Sequence, residues 1–347
     1  MKITPWSLTA ELSALALVVT GVSLAVQFGD RTSSAELPAT QPSSSLVTTA
    51  APRLFPKATW LWEPIGPDPK LDPNSATWVR YLAAPGAQHV AELHAEGTTL
   101  IPATAVSGGT PRYDVTFTKP WGNDPFGSRT VPIPLDTVGP HQGGDAHLAV
   151  TDPQTGQVLS LWQARFDTAA NNWTASWGGV TPVDGDGIEV VGSSTAAGIS
   201  RIAGVVTADQ MRKAIAANSG LSHALVFATD ISGPTFVPPA IKSDGTNDAQ
   251  VATPIPQGYR VQLDPSIDVD AVLGMTPGER VIAKTLQSHG AYLIDKAGAR
   301  MAFPFEALPD SDDLNPGAVW LDAGFAWDYF DMSHIPWSKL RVLAPAD

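Results

Sequence analysis

The segment from Pro140 to Gly179 limits the folds open to this chain more than any other. His147–Thr151 and Val158–Arg165 are apolar-rich runs on either side of Asp152, Pro153, Gln154, Thr155 and Gly156. An aspartate opens such a turn by bonding its own backbone, and a glycine closes it with a positive φ. The pattern predicts an antiparallel hairpin. A third strand pattern surrounds Trp173–Trp177, and Asp145, His147, Asp152, Asp167, Trp162, Trp173 and Trp177 all fall in this one stretch.

Composition supports a turn-rich β protein. Of 347 residues, 31 are proline, 30 glycine and 11 tryptophan. That many turn formers and large aromatics suits short strands better than a helical bundle. The net charge is −13. Phosphate contacts need Lys and Arg, so such an acidic chain is a poor nucleic-acid binder. It also disfavours docking on anionic headgroups. Neutral substrates and Ca²⁺ remain open. The chain has no cysteine, which excludes disulfides, thiolate nucleophiles and thiolate metal sites.

Leu12–Phe28 is an almost unbroken apolar run, bounded by Gly29, Asp30 and Arg31. It reads as a single-pass membrane anchor or a signal segment, so residues 1–29 form a targeting region and the rest lies outside the cytoplasm. Residues 30–57 are rich in Ser, Thr, Pro and Ala without apolar periodicity, and read as a disordered stalk. Residues 58–347 form the folded, extracytoplasmic domain. Its expected class is mainly β, a β-sandwich or jelly roll, with two packed α-helices.

Those helices are marked by capping boxes at Thr207–Gln210 and Thr276–Glu279, the second with Pro277 at the first helical position. Each runs into a strand pattern, His223–Ala228 and Ala291–Ile294. Residues Asp295–Gly298 are expected to turn the second of these back on Met301–Phe305. Val90–His94 and Thr98–Pro102 flank Glu96 and Gly97 and read as another hairpin. Ser75–Leu82 suits a strand or a short helix. Tyr113–Phe117 alternates as a strand, and Val131–Leu135 reads as an extended edge.

Several residue groups are candidates for chemistry. Asp145 and His147 are two apart, which on a strand puts them on one face. The carboxylate would then orient the imidazole as a general base. His223 and Asp295 are further acid–base candidates, and Trp162, Trp173 and Trp177 are candidate sugar-stacking platforms. Arg201, Lys242 and Arg260 are candidate substrate contacts. Asp184, Asp186 and Glu189 form a loose calcium loop without EF-hand spacing. No Walker loop, HExxH or GxSxG is present, which disfavours nucleotide-dependent chemistry, zincin proteolysis and a serine nucleophile elbow.

From Val131 to Asp295 the segment order is distinctive. VPIP leads to a DxH strand and a DP turn, then LWQA, WGG and GSSTAAG. A helix, HALVFA, PPA, a PxGxRxxL-like strand, a second helix and GAYLID follow. The order resembles a group of secreted bacterial proteins, largely actinobacterial, that often accompany carbohydrate-related modules. The resemblance covers about half the chain and carries no established reaction. It implies an extracytoplasmic domain whose distinctive polar positions fall on Asp145, His147, Asp152, Arg201, His223, Arg260 and Asp295. Lys242 stands in the neighbourhood where the group has a histidine.

The combined expectation is a glycan-active cell-envelope protein, a hydrolase or lyase working through Asp and His. The alternatives are a non-catalytic glycan- or wall-binding surface protein and a structural envelope component. Polysaccharide is the expected partner, membrane contact is confined to residues 12–28, and calcium is the expected metal.

Overall fold

The computed structural model describes residues 53–247 and 251–345. Leu12–Phe28 and most of the expected stalk lie outside them. Among the described residues no helix is long and apolar enough to cross a membrane. The fold begins earlier than expected. Phe55, assigned to the stalk, is buried, and its N–H donates to the Val183 carbonyl at 2.7 Å.

The described chain is mainly β, with five short helices and two large sheets. The strands of the large sheets are β1 (His89–Glu92), β2 (Thr98–Ile101), β3 (His147–Asp152), β4 (Gln157–Trp162), β5 (Trp177–Pro182) and β6 (Val191–Gly192). They continue with β7 (Leu225–Thr229), β8 (Arg260–Leu263), β9 (Ala291–Lys296), β10 (Met301–Pro304), β11 (Phe330–Asp331) and β12 (Leu340–Val342). The seven-stranded sheet has the order β11-β1-β10-β7-β9-β8-β12, and the five-stranded sheet β6-β5-β4-β3-β2. Parallel pairs occur in both, β1 with β10, β7 with β9 and β2 with β3.

The central hairpin forms as expected, with β3 and β4 paired from Leu148–Leu161 to Asp152–Gln157. Gly156, at φ 64°, closes the turn. Asp152 is fully buried and accepts from the Gln154 N–H, the Thr155 hydroxyl and Arg112. Two other expected hairpins do not form. β1 and β2 go to different sheets, because apolar residues of each have a separate core to fill. The link after β9 does not turn back on its neighbour. It passes over the end of β7, which lies between β9 and β10. Ser75–Leu82 is a helix, α1, and Tyr113–Phe117 splits between two small sheets.

Alternation along the strands explains the layering. In β7, Leu225 and Phe227 enter one core with Met211 of helix α2 (Ala208–Ala216) and Ile282 and Leu286 of helix α3 (Pro277–Ser288). Val226, between them, faces the other way and joins Tyr292 and Ile294 of β9 against Ala149 and Val158 of the five-stranded sheet. The far side of that sheet presents Leu148, Val150, Leu159 and Leu161 to a third core, which includes Trp173. A period of two thus gives each large sheet two buried faces. The layer between the sheets is made largely of small residues, Ala149, Ala197, Ala203, Ala224 and Ala240.

Both capping boxes are present, with Thr207 and Thr276 each accepting from the N–H three residues on. Glu279, fully buried, accepts from the Thr276 N–H at 2.8 Å and the His334 N–H at 3.1 Å. Thr276→Ala removes one cap and is expected to lower the unfolding free energy by about 1 kcal/mol. Urea unfolding followed by far-UV circular dichroism checks this, with an unchanged m-value.

Candidate functional site

At one end of the interface between the two large sheets the layer opens into a cavity of about 520 Å³. Its floor is a single row across the seven-stranded sheet. Val90 of β1 pairs with Ala302 of β10, Ala302 with Ala228 of β7, and Ala228 with Asp295 of β9. All four line the cavity, and the two alanines leave it deep. A bulge decides where Asp295 points. Phe227 pairs with Leu293 but Ala228 with Asp295, so Ile294 is an extra residue. In unbroken alternation Asp295 would follow Leu293 towards the helices; the bulge turns it onto the cavity face instead.

The walls bring in Glu92, Glu96, Asp145, Arg201, Tyr329 and Trp327. Glu92 lies two residues beyond Val90 and shares its face, opposite Ala91 and Leu93 in the core. Glu96 accepts from the Asp145 N–H at 2.5 Å, which ties the loop before β3 to the link after β1. Arg201 is buried and donates to the Glu96 carbonyl at 3.0 Å and the Thr98 hydroxyl at 2.9 Å. Asp328 is also buried. Its carboxylate accepts the N–H groups of Leu93, His94 and Ala95 and so shapes the turn that presents Glu96. The next residue, Tyr329, sits at φ 57°, an uncommon left-handed position for a bulky side chain.

Four carboxyls around one guanidinium cannot all be ionised cheaply. Burial, with the neighbouring charges of Glu96, Asp145 and Asp295 acting against the help of Arg201, pushes Glu92 up to about 8. Burial and Asp244 raise Asp295 to about 7. Glu96 is raised by burial and by Asp145. Asp145 behaves differently. Burial would raise it, but His147, the Trp162 indole and Arg201 together hold it below the usual carboxylate range. The Trp162 Nε1–H donates to its Oδ1 at 2.8 Å. The Tyr329 phenol is raised by burial and by the carboxylates around it. At neutral pH the cavity therefore holds an ionised Asp145 beside a largely protonated Glu92 and a half-protonated Asp295.

The structure brings together Asp145, Asp295 and Arg201 of the expected site residues, and Trp162 stands beside Asp145. His147 is 3.6 Å from Asp145, an ion-pair distance and not a hydrogen bond. The two do not share a strand face. The strand begins at His147, and Ala146 between them is at φ 47°. The His147 side chain is buried, and burial with the nearby Arg201 lowers it to about 4 against the pull of Asp145. It is a neutral support behind Asp145, out of a substrate's reach.

His223 does not join them. It is buried edge-on against Trp62, with Nδ1 facing the Ala224 carbonyl at 2.9 Å. Trp173 and Trp177, expected as platforms, are buried core residues, 5% and 9% exposed. Trp162 stacks on Trp121 at 5.7 Å, and the exposed face there belongs to Trp121.

Arg260 lines a separate groove of about 850 Å³, over the ring of Tyr292 and bonded to the His289 and Glu63 carbonyls. Lys242 is exposed, outside the cavity, with its charge near Glu189. Asp184, Asp186 and Glu189 do not converge on a cation position. Asp184 is exposed and pairs with Lys57 at 3.9 Å, and Asp186 caps the Ile188 N–H. Glu189 is buried and takes up the Ser194 hydroxyl and N–H. The acids of a Gly-Asp loop serve the loop itself.

Sequence reading missed Glu92, Glu96, Trp121, Trp327 and Tyr329. For Glu92 a signal existed, since the alternation Val90–Leu93 leaves one carboxylate in an otherwise buried strand.

Two tests follow from this geometry. A Cβ on Gly144 would overlap the Ala95 carbonyl oxygen and stand 2.8 Å from Glu96 Oε1. Gly144→Ala is expected to cost about 1–3 kcal/mol and to push Asp145 away from Glu96, read by thermal unfolding and a crystal structure. The folded value of Glu92, about 8, exceeds its ordinary 4.5, so the unfolded chain gives up this proton first as pH rises. Glu92 therefore supports folding fully below 4.5 and loses that contribution as pH climbs through 8. Glu92→Gln should melt a few degrees above the parent protein at about pH 9, the gap closing towards about pH 4.

Comparison with family models, curated proteins and solved structures finds no match.

Proposed function

We propose that this chain is an extracytoplasmic, glycan-active protein of the bacterial cell envelope, a polysaccharide hydrolase whose acid–base groups are Glu92 or Asp295 and Asp145. The observation that carries the reading is one aromatic-rimmed cavity holding carboxyls of opposed proton affinity. Hydrolysis of a glycosidic bond needs that asymmetry. A protonated carboxyl hands its proton to the departing oxygen. An ionised one faces the sugar carbon, where positive charge develops, and water supplies the new hydroxyl. Arg201 and Trp162 keep Asp145 ionised. The exposed faces of Trp121 and Trp327, 59% and 49% exposed, suit stacking on sugar rings. The burial of His147 takes support from a lyase that uses it as base.

Residues 12–28 hold the domain at the membrane or direct its secretion, and the stacked large sheets form a sandwich-type scaffold. The membrane is touched through that segment alone, and the substrate is a neutral or weakly charged glycan compatible with the acidic surface.

The experiment incubates the purified protein with envelope polysaccharides and measures new reducing ends. Asp145→Asn and Glu92→Gln should each lower the rate by about 10²–10⁴-fold while near-UV circular dichroism stays unchanged. Because the acid must hold its proton, kcat/KM should fall as pH rises through the 7 to 8 of Asp295 and Glu92. Glycan retained without cleavage, and unaffected by Asp145→Asn, would make this a binding module. An activity that increases steadily above about pH 9 would rule out the carboxylic-acid role.

A further inference from the structure

A second group of polar side chains lies on chain segments that adjoin Glu96 and Asp145, beside a separate pocket. His94 follows β1 by two residues, His141 lies in the loop before Asp145, and Asp313 belongs to the loop after Pro309. One donor atom from each lies within 4.8 Å of the other two, and among the described residues no other three His or acidic side chains converge in this way. His141 Nε2 is 2.8 Å from Asp313 Oδ1, and His94 Nε2 is 3.6 Å from the same oxygen. A tetrahedral ion with bonds of the zinc–imidazole length keeps its donors about 3.3 Å apart, within the range spanned here.

The hydrogen bonds around His94 determine which nitrogen can bind. The Ser311 hydroxyl donates to the Leu308 carbonyl at 2.6 Å. Its proton is thereby committed, so at 2.8 Å from His94 Nδ1 the oxygen must accept. His94 therefore carries its proton on Nδ1 and turns the Nε2 lone pair towards the Asp313 carboxylate. A lone pair and an anion facing each other call for a cation between them. A ligating histidine gives its other N–H to an outer-shell oxygen that fixes the tautomer, the part the Ser311 hydroxyl plays here. The side chains of His94 and His141 are 13% and 28% exposed, while Asp313 is 74% exposed, which leaves one side of the group open to water.

We propose that His94 Nε2, His141 Nε2 and Asp313 form a binding site for a first-row divalent cation of the zinc class, with water as the fourth ligand. Two imidazoles and one carboxylate are the donor set such ions select, whereas calcium wants oxygen throughout. His141 must change tautomer to take part. Its Nδ1 now accepts the Gly143 N–H at 3.1 Å, so its Nε2 holds the proton shared with Asp313. Cation uptake moves that proton to Nδ1 and swings the Gly143 N–H aside. The ion would join three segments, the links carrying Glu96 and Asp145 and the 310–317 loop. The proposal is independent of the reaction at the acidic cavity.

The test uses tag-free full-length protein, stripped with a chelator and titrated with Zn²⁺ and Co²⁺. One zinc per chain by elemental analysis, visible d–d absorption of the Co²⁺ form and a higher melting temperature with zinc are expected. His94→Ala and Asp313→Asn should each weaken zinc binding more than about 100-fold and abolish the melting shift. His141→Gln, in a surface loop, gives the same reading should His94→Ala unfold. His334→Ala, at the Glu279 pair, should bind as the parent does. Absence of zinc binding at sub-millimolar concentration, or binding unchanged in both His94→Ala and His141→Gln, would overturn the site.

Discussion

The close stacking of the two large sheets through small side chains is the constraint on which the rest of the structure depends. Ala149, Ala197, Ala203, Ala224 and Ala240 allow the layers to approach. Gly204, at φ 78°, adds to this, since a Cβ there would lie 2.7 Å from Val226. Where β3 stops at its N-terminal end, the five-stranded sheet no longer covers its partner. The row Val90–Ala302–Ala228–Asp295 is left facing a hollow. The cavity is thus what remains beyond the start of β3, walled by the segments that carry Glu96 and Asp145.

That origin explains the electrostatics. The hollow adjoins the dry interface, so the acids that enter it are partly shielded from water. Glu92 and Asp295 respond with a raised affinity for protons, and Asp145 stays ionised because a histidine, an indole N–H and a guanidinium surround it. One cavity therefore separates acids of the same chemistry into two protonation states, as general acid–base work demands.

The walls are held by long-range bonds. Asp328 clamps the three N–H groups after β1, and Arg201 ties the Glu96 carbonyl to Thr98. These partners are separated by more than a hundred residues in sequence. The site is consequently complete only once the C-terminal segment has docked, and truncation there removes Asp328 and Tyr329 together.

Sequence alone determined the local events. The β3–β4 hairpin follows from its Asp-Pro to Gly turn, and both helix starts follow from capping boxes, since each depends on residues a few positions apart. It also singled out Asp145, Arg201 and Asp295. Tertiary structure decided the rest. β1 and β2 look like a hairpin but separate because each has its own core. Trp173 and Trp177 look like platforms but fill interiors, leaving the exposed face to Trp121. His147 looks like a base but is sealed behind Asp145. Glu92, Glu96 and Tyr329 join the site through strand order and bonds from a distant carboxylate, and the bulge at Ile294 turns Asp295 towards them. Alternation says which residues share a face, but not which strand will lie alongside or what will cover that face. Those answers come from the competition of whole layers for burial, which no short stretch of sequence contains.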